Sequence, residues 1–126
     1  MSKAQWMKEN LRPGEIYAGL ILGKKNEPDY HLIAMPVHKD VSMTWDKAMK
    51  LAESTRTALP NRRELSLLLA NCKEHFNPTW YWSCEQYAGL AASAWCQTFS
   101  NGGQYGGHKG SNHRVVLVRR VLIGEE

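Results

Sequence analysis

The sequence predicts an α+β fold in a single domain, and three observations support this prediction. A capping sequence at Asn61 opens an amphipathic helix, two aromatic segments that follow it alternate as strands do, and residues 113–123 are strongly β-forming. With 126 residues, 43% of them hydrophobic, the chain can bury one core without disulfides or metals. A second domain does not fit this length.

The first third of the chain is expected to hold a short helix or loose arm and a β-hairpin. Good helix formers, with apolar residues at helical spacing, favour a helix or arm within residues 1–12. Two apolar runs, 15–22 and 30–35, flank a polar turn and predict an antiparallel hairpin at the start of the single domain, 13–126. His31 is expected on the exposed face of the second of these strands.

Two helices are predicted in the middle of the chain. The first follows Thr44, a residue type that commonly caps helices, and has apolar side chains along one side of residues 45–52. The second begins with a capping box, in which the Asn61 side chain and the Glu64 carboxylate accept hydrogen bonds from first-turn amides, and it ends near Asn71. We expect both helices to pack an apolar stripe against a sheet.

Two arginines at the start of the second helix, Arg62 and Arg63, are unusual because the positive end of the helix dipole disfavours cations. One interpretation is that they pair with acids elsewhere in the chain. The other is that this helix start binds an external anion. The sequence leaves both interpretations open.

The last third of the chain is predicted to contain aromatic strands and a long loop. Residues 79–84 and 93–99 alternate as strands do, 100–112 hold five glycines and no β-branched residue and predict a long display loop, and 113–123 predict one central strand. The tryptophans of the aromatic strands are expected mainly in the core, with stacking on a sugar or base as the alternative. They are Trp80, Trp82 and Trp95.

Charge is unevenly distributed along the chain. The formal net charge is +4, but residues 86–124 carry four basic side chains and no acidic one. A calcium site is therefore not expected in this segment, because calcium requires several carboxylate and carbonyl oxygens. The same imbalance favours a neutral or anionic partner.

The three cysteines are odd in number, which argues against a disulfide scaffold and predicts free thiols at Cys72, Cys84 and Cys96. No Cys-x-x-Cys or His-x-x-x-His spacing occurs, so we expect neither a zinc site nor another cofactor. Cys84 and Cys96 fall on neighbouring predicted strands, where a buried small hydrophobe is the expected role and thiol catalysis the alternative. No catalytic constellation can be assembled from the sequence, so an enzyme is not expected.

Six short motifs in a fixed order resemble an uncharacterised phage and prophage domain family that also forms the C-terminal domain of a bacterial collagen-like adhesin. Each motif alone is weak, and their order carries the resemblance over nearly the whole chain. The motifs are Thr-Trp-x-x-Ala at 44–48, Leu-Pro-x-Arg-x-Glu-Leu at 59–65, Tyr-Trp-Ser at 81–83, Ala-Trp-x-x-x-Phe at 94–99, a glycine-rich segment, and Val-Arg-Arg-Val at 118–121.

The resemblance implies a C-type-lectin-like fold, with two helices beside a twisted antiparallel sheet, adjoining terminal strands and a long display loop. The family is similar to ligand-binding modules and, more remotely, to formylglycine-generating enzymes. Its binding face is usually built by the late loops and the strands beside them. Carried over to this sequence, that face implies a site at Tyr87, Gln97, Asn101, Gln104, Tyr105, His108, Lys109, Asn112 and His113.

The expected function is that of a non-enzymatic phage or prophage accessory protein that binds a macromolecular partner, a protein first and an anionic glycan or nucleic-acid backbone as alternatives. A host-defence or regulatory factor contacting a nucleic-acid complex and a thiol-dependent enzyme are the rival functions. No apolar run is long enough to span a membrane and the N-terminus lacks a secretion signal, so we expect the host cytoplasm or the virion. An oligomer, suggested by the adhesin relatives, stays open.

Overall fold

The computed structural model describes residues 1–38 and 40–124. It confirms the α+β class, since these residues form three α-helices, a short 3-10 turn and eight strands. In chain order the elements are α1 (Lys3–Asn10), β1 (Ile16–Ile21), β2 (Tyr30–Ala34), β3 (Ser42–Met43), α2 (Trp45–Ser54), α3 (Arg62–Cys72), the 3-10 turn (Lys73–His75), β4 (Trp80–Gln86), β5 (Ser93–Thr98), β6 (Gln104–His108), β7 (His113–Arg114) and β8 (Val118–Leu122). None of the helices in this described part is long and apolar enough to cross a membrane.

The strands are arranged in two sheets. The first sheet has the order β1-β2-β8, and both of its pairs are antiparallel. The second sheet has the order β3-β7-β4-β5-β6, in which β4 and β7 run parallel and the other pairs are antiparallel. The N-terminal hairpin and the C-terminal strand therefore share one sheet, and the aromatic strands belong to the other.

The predicted N-terminal helix and hairpin are confirmed. In the hairpin β1 pairs with β2, and a bulge shifts the register at Gly19, whose φ of 127° is available to glycine but strained for other residues. The helix α1 buries one side chain, Trp6, which stacks on His31 with 3.8 Å between ring centroids. The prediction that His31 lies on an exposed face is therefore wrong, because α1 covers that face.

Each of the other two helices packs on one of two cores, as their apolar stripes predict. Leu65 and Leu68 of α3 are fully buried in a cluster with residues of the first sheet and of β4. Ala48 and Ala52 of α2 are buried in a second cluster with Trp82. Trp82 is fully buried, which confirms its predicted place in the core.

The capping box at the start of α3 is confirmed. The Glu64 amide donates to Asn61 Oδ1 at 2.9 Å, and the Asn61 amide donates to Glu64 Oε1 at 2.8 Å. At the start of α2, Thr44 occupies the predicted capping position, but its side chain makes no capping hydrogen bond. The two helix starts were thus placed correctly, and only one is held by its side chains.

The predicted long loop, 100–112, is wrong in its centre. Residues Gln104–His108 form β6, which pairs antiparallel with β5 over its full length. Glycine has low intrinsic strand propensity, so local sequence does not indicate a strand here, whereas pairing with a preformed neighbour does not depend on that propensity. Only the two short turns that flank β6 are irregular.

The predicted single central strand, 113–123, is also wrong. It is divided into β7 and β8, and residues 115–117 lead from the second sheet to the first. Val115 is buried in one core and Val116 in the other. Uniform β propensity along a segment cannot show where the chain passes from one sheet to another. The strand β8 is an outer strand of the first sheet and not a central one, and an isolated bridge joins it to Ala58.

Candidate functional site

An open cleft of about 350 Å³ lies on one face of the second sheet, across β4, β5 and β6 and beside His113 of β7. Its lining is almost entirely apolar and contains no charged side chain. The lining residues are Trp80, Cys96, Tyr105, Gly106, Gly107 and His113.

The cleft follows from the register of three antiparallel strands. Trp82 lies opposite Cys96, and Cys96 lies opposite Tyr105, so their side chains point to the same face of the sheet. Trp80, two residues before Trp82, shares that face. Gly107 adds no side chain, and a Cβ atom placed there would lie 2.9 Å from Cys96 Sγ and 3.2 Å from the ring of His113. Glycine at this position therefore keeps the cleft open and lets the aromatic rings approach the backbone.

Three aromatic rings form the walls of the cleft. The ring of Tyr105 meets Trp80 edge to face, with 5.7 Å between centroids, and His113 lies 6.4 Å from Trp80 and 4.5 Å from Trp82. Burial lowers the pKa of His113, so its imidazole is neutral at neutral pH. Tyr105 is 60% exposed, although its ring is large and apolar. The arrangement can hold an uncharged apolar or planar group by stacking.

Three of the predicted site residues lie on the opposite face of the second sheet, beside α3. Gln97 is fully buried, accepts a 2.7 Å hydrogen bond from Gln104 Nε2, and donates to the Leu65 carbonyl. Gln104 also donates to the Arg62 carbonyl at 2.8 Å. These two glutamines join α3 to the sheet and leave Gln97 out of reach of a partner. The third residue, Tyr87, packs on Trp95 with 4.6 Å between centroids.

The remaining predicted residues lie at the end of β6 or in the turns that flank it. Asn101 Oδ1 accepts from the Gly103 amide at 2.9 Å, and His108 Nδ1 accepts from the Gly110 amide at 3.0 Å. The ammonium group of Lys109 donates to a glutamine of β4 and lies over the ring of Trp45, and Asn112 is exposed. Of the nine residues implied by the family resemblance, the cleft brings together only two, which are Tyr105 and His113.

The late segment is less basic at its surface than its sequence indicates. Arg119 forms an ion pair with Glu15 at 2.9 Å, and Arg120 forms one with Glu64 at 2.7 Å. Both acids come from the first 85 residues, so the acid-free segment obtains its counter-charges through the fold. Two of the four basic side chains of this segment are therefore paired with carboxylates, and the expectation of a neutral or anionic partner stays a prediction.

Within the described residues, the two arginine side chains at the start of α3 contact a ring, a glutamine and a carbonyl rather than a carboxylate. The guanidinium of Arg62 lies 3.6 Å from the centroid of Trp95, and that of Arg63 donates to the Leu22 carbonyl at 3.0 Å. The Arg62 amide donates to Glu85 Oε2 at 2.7 Å. The protein's own carboxylate thus satisfies one amide of the first turn, and binding of an external anion at this helix start stays a prediction.

The three cysteines are free thiols, as predicted. Burial raises the pKa of Cys72 and of Cys96 to about 11, and burial also raises the pKa of Cys84. In the sheet register Cys96 lies opposite Trp82 rather than opposite Cys84. Within residues 1–38 and 40–124, no group of three or more His, Cys, Asp or Glu side chains is placed to hold a metal ion.

Sequence reasoning missed Cys96, Gly106 and Gly107 as parts of the cleft. It considered Trp80 as a stacking residue but did not join it to the glycine-rich segment. The alternation of the aromatic strands was a usable signal, because it places Trp80 on one face with Trp82. The missing step was that residues 104–108 form a strand beside them.

Comparison with known proteins adds no family assignment. No protein-family model matches the chain. A search of curated proteins also finds no significant match.

Proposed function

We propose that this chain is a non-enzymatic phage or prophage accessory protein that recognises another protein through the aromatic cleft of its second sheet. The observation that carries the proposal is the cleft itself, in which Trp80, Tyr105 and His113 leave apolar surface uncovered above a glycine backbone. Apolar side chains that a small domain leaves open in one concave place are typical of binding sites. The host cytoplasm or the virion is the proposed location.

The finer fold class that we propose is C-type-lectin-like. Support comes from the sheet that joins the N-terminal hairpin to the C-terminal strand β8, and from two helices packed beside the sheets. The order of the sequence motifs supports the same class. The proposal assigns the binding surface to β6 and its flanking turns, in place of one long loop.

The state of the cysteines supports a binding role over thiol catalysis. A thiol nucleophile reacts as the thiolate, and burial raises the pKa of all three thiols instead of lowering it. The cleft lining includes His113 but no carboxylate that would orient its imidazole for general-base catalysis. Tight packing of Cys96 beneath Gly107 gives this thiol a structural role.

A nucleic-acid partner is less well supported than a protein. Strong binding to a nucleic-acid backbone depends on lysine and arginine side chains that contact phosphates. Arg119 and Arg120 are held by carboxylates, and Lys109 is held by a glutamine and an indole ring. An apolar, uncharged cleft suits a hydrophobic side chain of a protein better than a phosphate.

The proposal is tested by affinity capture from an extract of the bacterial host with three forms of the chain. These are the parent, Tyr105→Asp, which places a charge in the cleft, and Leu22→Ala, which removes an exposed apolar side chain from the far sheet. Leu22 is 62% exposed and Tyr105 60%, so the control is matched in accessibility. We expect one protein to be captured by the parent and by Leu22→Ala and lost with Tyr105→Asp. Equal capture by all three folded forms would contradict the proposal, and capture of nucleic acid that weakens steeply with salt would favour the regulatory alternative.

A further inference from the structure

The outer strand of the second sheet, β6, has one edge that no other strand of the described residues covers. The Thr98 amide donates a 2.9 Å hydrogen bond to the Gly103 carbonyl. This bond shows which opposite residues of β5 and β6 exchange backbone hydrogen bonds. Because hydrogen-bonded pairs alternate in an antiparallel ladder, the backbone groups of Tyr105 and Gly107 point toward β5.

The backbone groups of Gln104, Gly106 and His108 consequently point away from the sheet. The His108 carbonyl accepts from the Ser111 amide at 2.9 Å in the following turn. Within the described residues, the outward amides of these three positions and the outward carbonyls of Gln104 and Gly106 have no backbone partner. These outward amides and carbonyls form a row of backbone groups with which a further strand can pair.

The other long edges of the two sheets are partly covered by the chain itself. Along β1, the Ala18 carbonyl accepts from Asn71 Nδ2 at 2.6 Å, and the carbonyl that follows the strand accepts from Arg63. At β8, Val118 exchanges two backbone hydrogen bonds with Ala58, of 2.8 and 3.0 Å. Proteins usually protect such edges with covering side chains, charges, prolines or bulges. Along its sequence Gln-Tyr-Gly-Gly-His, β6 has no Lys, Arg, Asp or Glu, no proline and no bulge, and the ring of Tyr87 packs on Gly106.

The centre of β6 is also suited to close approach by another backbone. Gly106 and Gly107 lie next to each other, and Gly106 is exposed. Neither glycine has a side chain that would obstruct a second strand at the edge. On the two faces of the sheet the chain's own side chains lie close, since a Cβ atom would be 2.7 Å from the Tyr87 ring at Gly106 and 2.9 Å from Cys96 Sγ at Gly107. The open edge and the aromatic cleft meet at these two residues, because both glycines also line the cleft.

We propose that an extended segment of the partner protein adds to β6 as a sixth strand of the second sheet and inserts one apolar side chain into the cleft. A strand beside β6 places every second side chain on the face that carries Tyr105 and Gly107. The residue opposite Gly107 then directs its side chain toward Tyr105 and His113. Main-chain hydrogen bonds provide the affinity in this mode and the side-chain pocket provides the selectivity. This inference rests on the proposed function and specifies its binding mode.

A partner peptide is a better occupant than a second copy of this chain. Pairing of two β6 strands about a twofold axis joins only five residues from each copy, so a second copy gains no more backbone pairing at this edge than a peptide does. The uncharged cleft lining instead fits an apolar side chain on a short extended segment. We therefore assign the edge to a segment of another protein.

The test uses the full chain and a displayed library of random linear peptides, from which binders are selected. For the best peptide, amide hydrogen exchange is measured in the free and bound chain. We expect the amides of Gln104, Gly106 and His108 to slow by at least about tenfold on binding, while those of Tyr105 and Gly107, already bonded to β5, change little. N-methylation of alternate residues of the peptide should weaken binding by about tenfold for each donor that pairs with β6, and should have little effect at the intervening residues.

The outcomes separate this inference from the proposed function. If a peptide binds, is lost with Tyr105→Asp, but leaves the three outward amides unchanged, then the cleft is a binding site and strand addition is wrong. Strand addition is also wrong if none of the selected peptides protects the outward amides of β6. If the free chain sediments as a dimer with the three amides already protected, the occupant is a second copy. Selected peptides that bind equally to the parent and to Tyr105→Asp contradict both proposals.

Discussion

Arg120 donates two hydrogen bonds of 2.7 Å to the carboxylate of Glu64, one from Nε and one from Nη2. Glu64 is fully buried and also accepts a 2.6 Å hydrogen bond from the hydroxyl of Tyr30. The same carboxylate completes the capping box with Asn61. A single side chain thus joins the start of α3 to β2 and to β8, through four hydrogen bonds to its two carboxylate oxygens.

Glu64→Gln should lower the free energy of unfolding by about 2–4 kcal/mol, because it leaves the guanidinium of Arg120 without its counter-charge. The expected loss of unfolding free energy is smaller than for a fully buried ion pair, since the Arg120 side chain is 35% exposed. Urea unfolding measures the effect. Glu74→Gln is the matched control, because the contact of Glu74 with His75 is exposed, and its loss should cost less than about 0.5 kcal/mol. Equal effects of the two substitutions would contradict this assignment.

The stability of the fold should decrease in acid. Burial alone would raise the pKa of Glu64, but hydrogen bonds from Arg120 and Tyr30 outweigh it, and the pKa of Glu64 is lowered from 4.5. The pKa of Glu15 is lowered by Arg119 against the same effect of burial. Because the unfolded carboxyls bind protons first, the stabilisation is complete well above pH 4.5 and is lost as the pH falls through the folded-state values.

Urea unfolding at a series of pH values measures this dependence. In Glu64→Gln the dependence below pH 4.5 should be shallower than in the parent, since one titrating group is removed. A parent chain whose stability is constant from neutral pH down to about pH 3 would show that these ion pairs do not stabilise the folded state.

Asn61→Ala should destabilise the chain by about 1 kcal/mol, because the Glu64 amide loses the side-chain acceptor that caps α3. Asn61→Asp keeps an acceptor of the same length and should retain most of the stability. Thermal or urea unfolding compares the two variants. Thr44→Ala at the start of α2 should have a smaller effect, since Thr44 makes no side-chain capping bond. A larger destabilisation by Thr44→Ala than by Asn61→Ala would contradict the capping geometry.

Trp82 and Trp80 should differ in their effect on folding. Trp82→Ala should cost about 3–5 kcal/mol, because its side chain is fully buried and its indole donates to the Met43 carbonyl at 2.9 Å. Trp80→Ala should cost about 1–2 kcal/mol, since this ring is partly exposed in the cleft. Circular dichroism and urea unfolding measure both. A Trp82→Ala chain as stable as the parent would remove Trp82 from the core.

All three cysteines should react slowly with iodoacetamide in the folded chain at pH 7. With a pKa of about 11 at Cys72 and Cys96, about one thiol in ten thousand is ionised at that pH. Mass spectrometry of the labelled protein measures the rates, and the chain unfolded in urea serves as the control. One cysteine that reacts faster in the folded chain than in urea would support the thiol-enzyme alternative.

The local pattern of the sequence was sufficient to predict the helices, the hairpin and the buried Trp82. Each of these depends on residues near one another in the chain, such as Asn61 and Glu64 in the capping box or the apolar stripe of α2. The α+β class follows because the 3.6-residue and two-residue periods of helices and strands can be read separately.

Three features follow from tertiary contacts alone. Gln104–His108 is a strand, residues 115–117 pass between two sheets, and Arg119 and Arg120 are paired with acids. Each of these features depends on a partner far away in sequence, such as Glu15 for Arg119. A glycine-rich segment has no propensity that reveals its pairing, and its neighbour β5 supplies the hydrogen bonds that make it a strand. The cleft exists for the same reason, since it requires three strands in register, and no single stretch of sequence specifies that register.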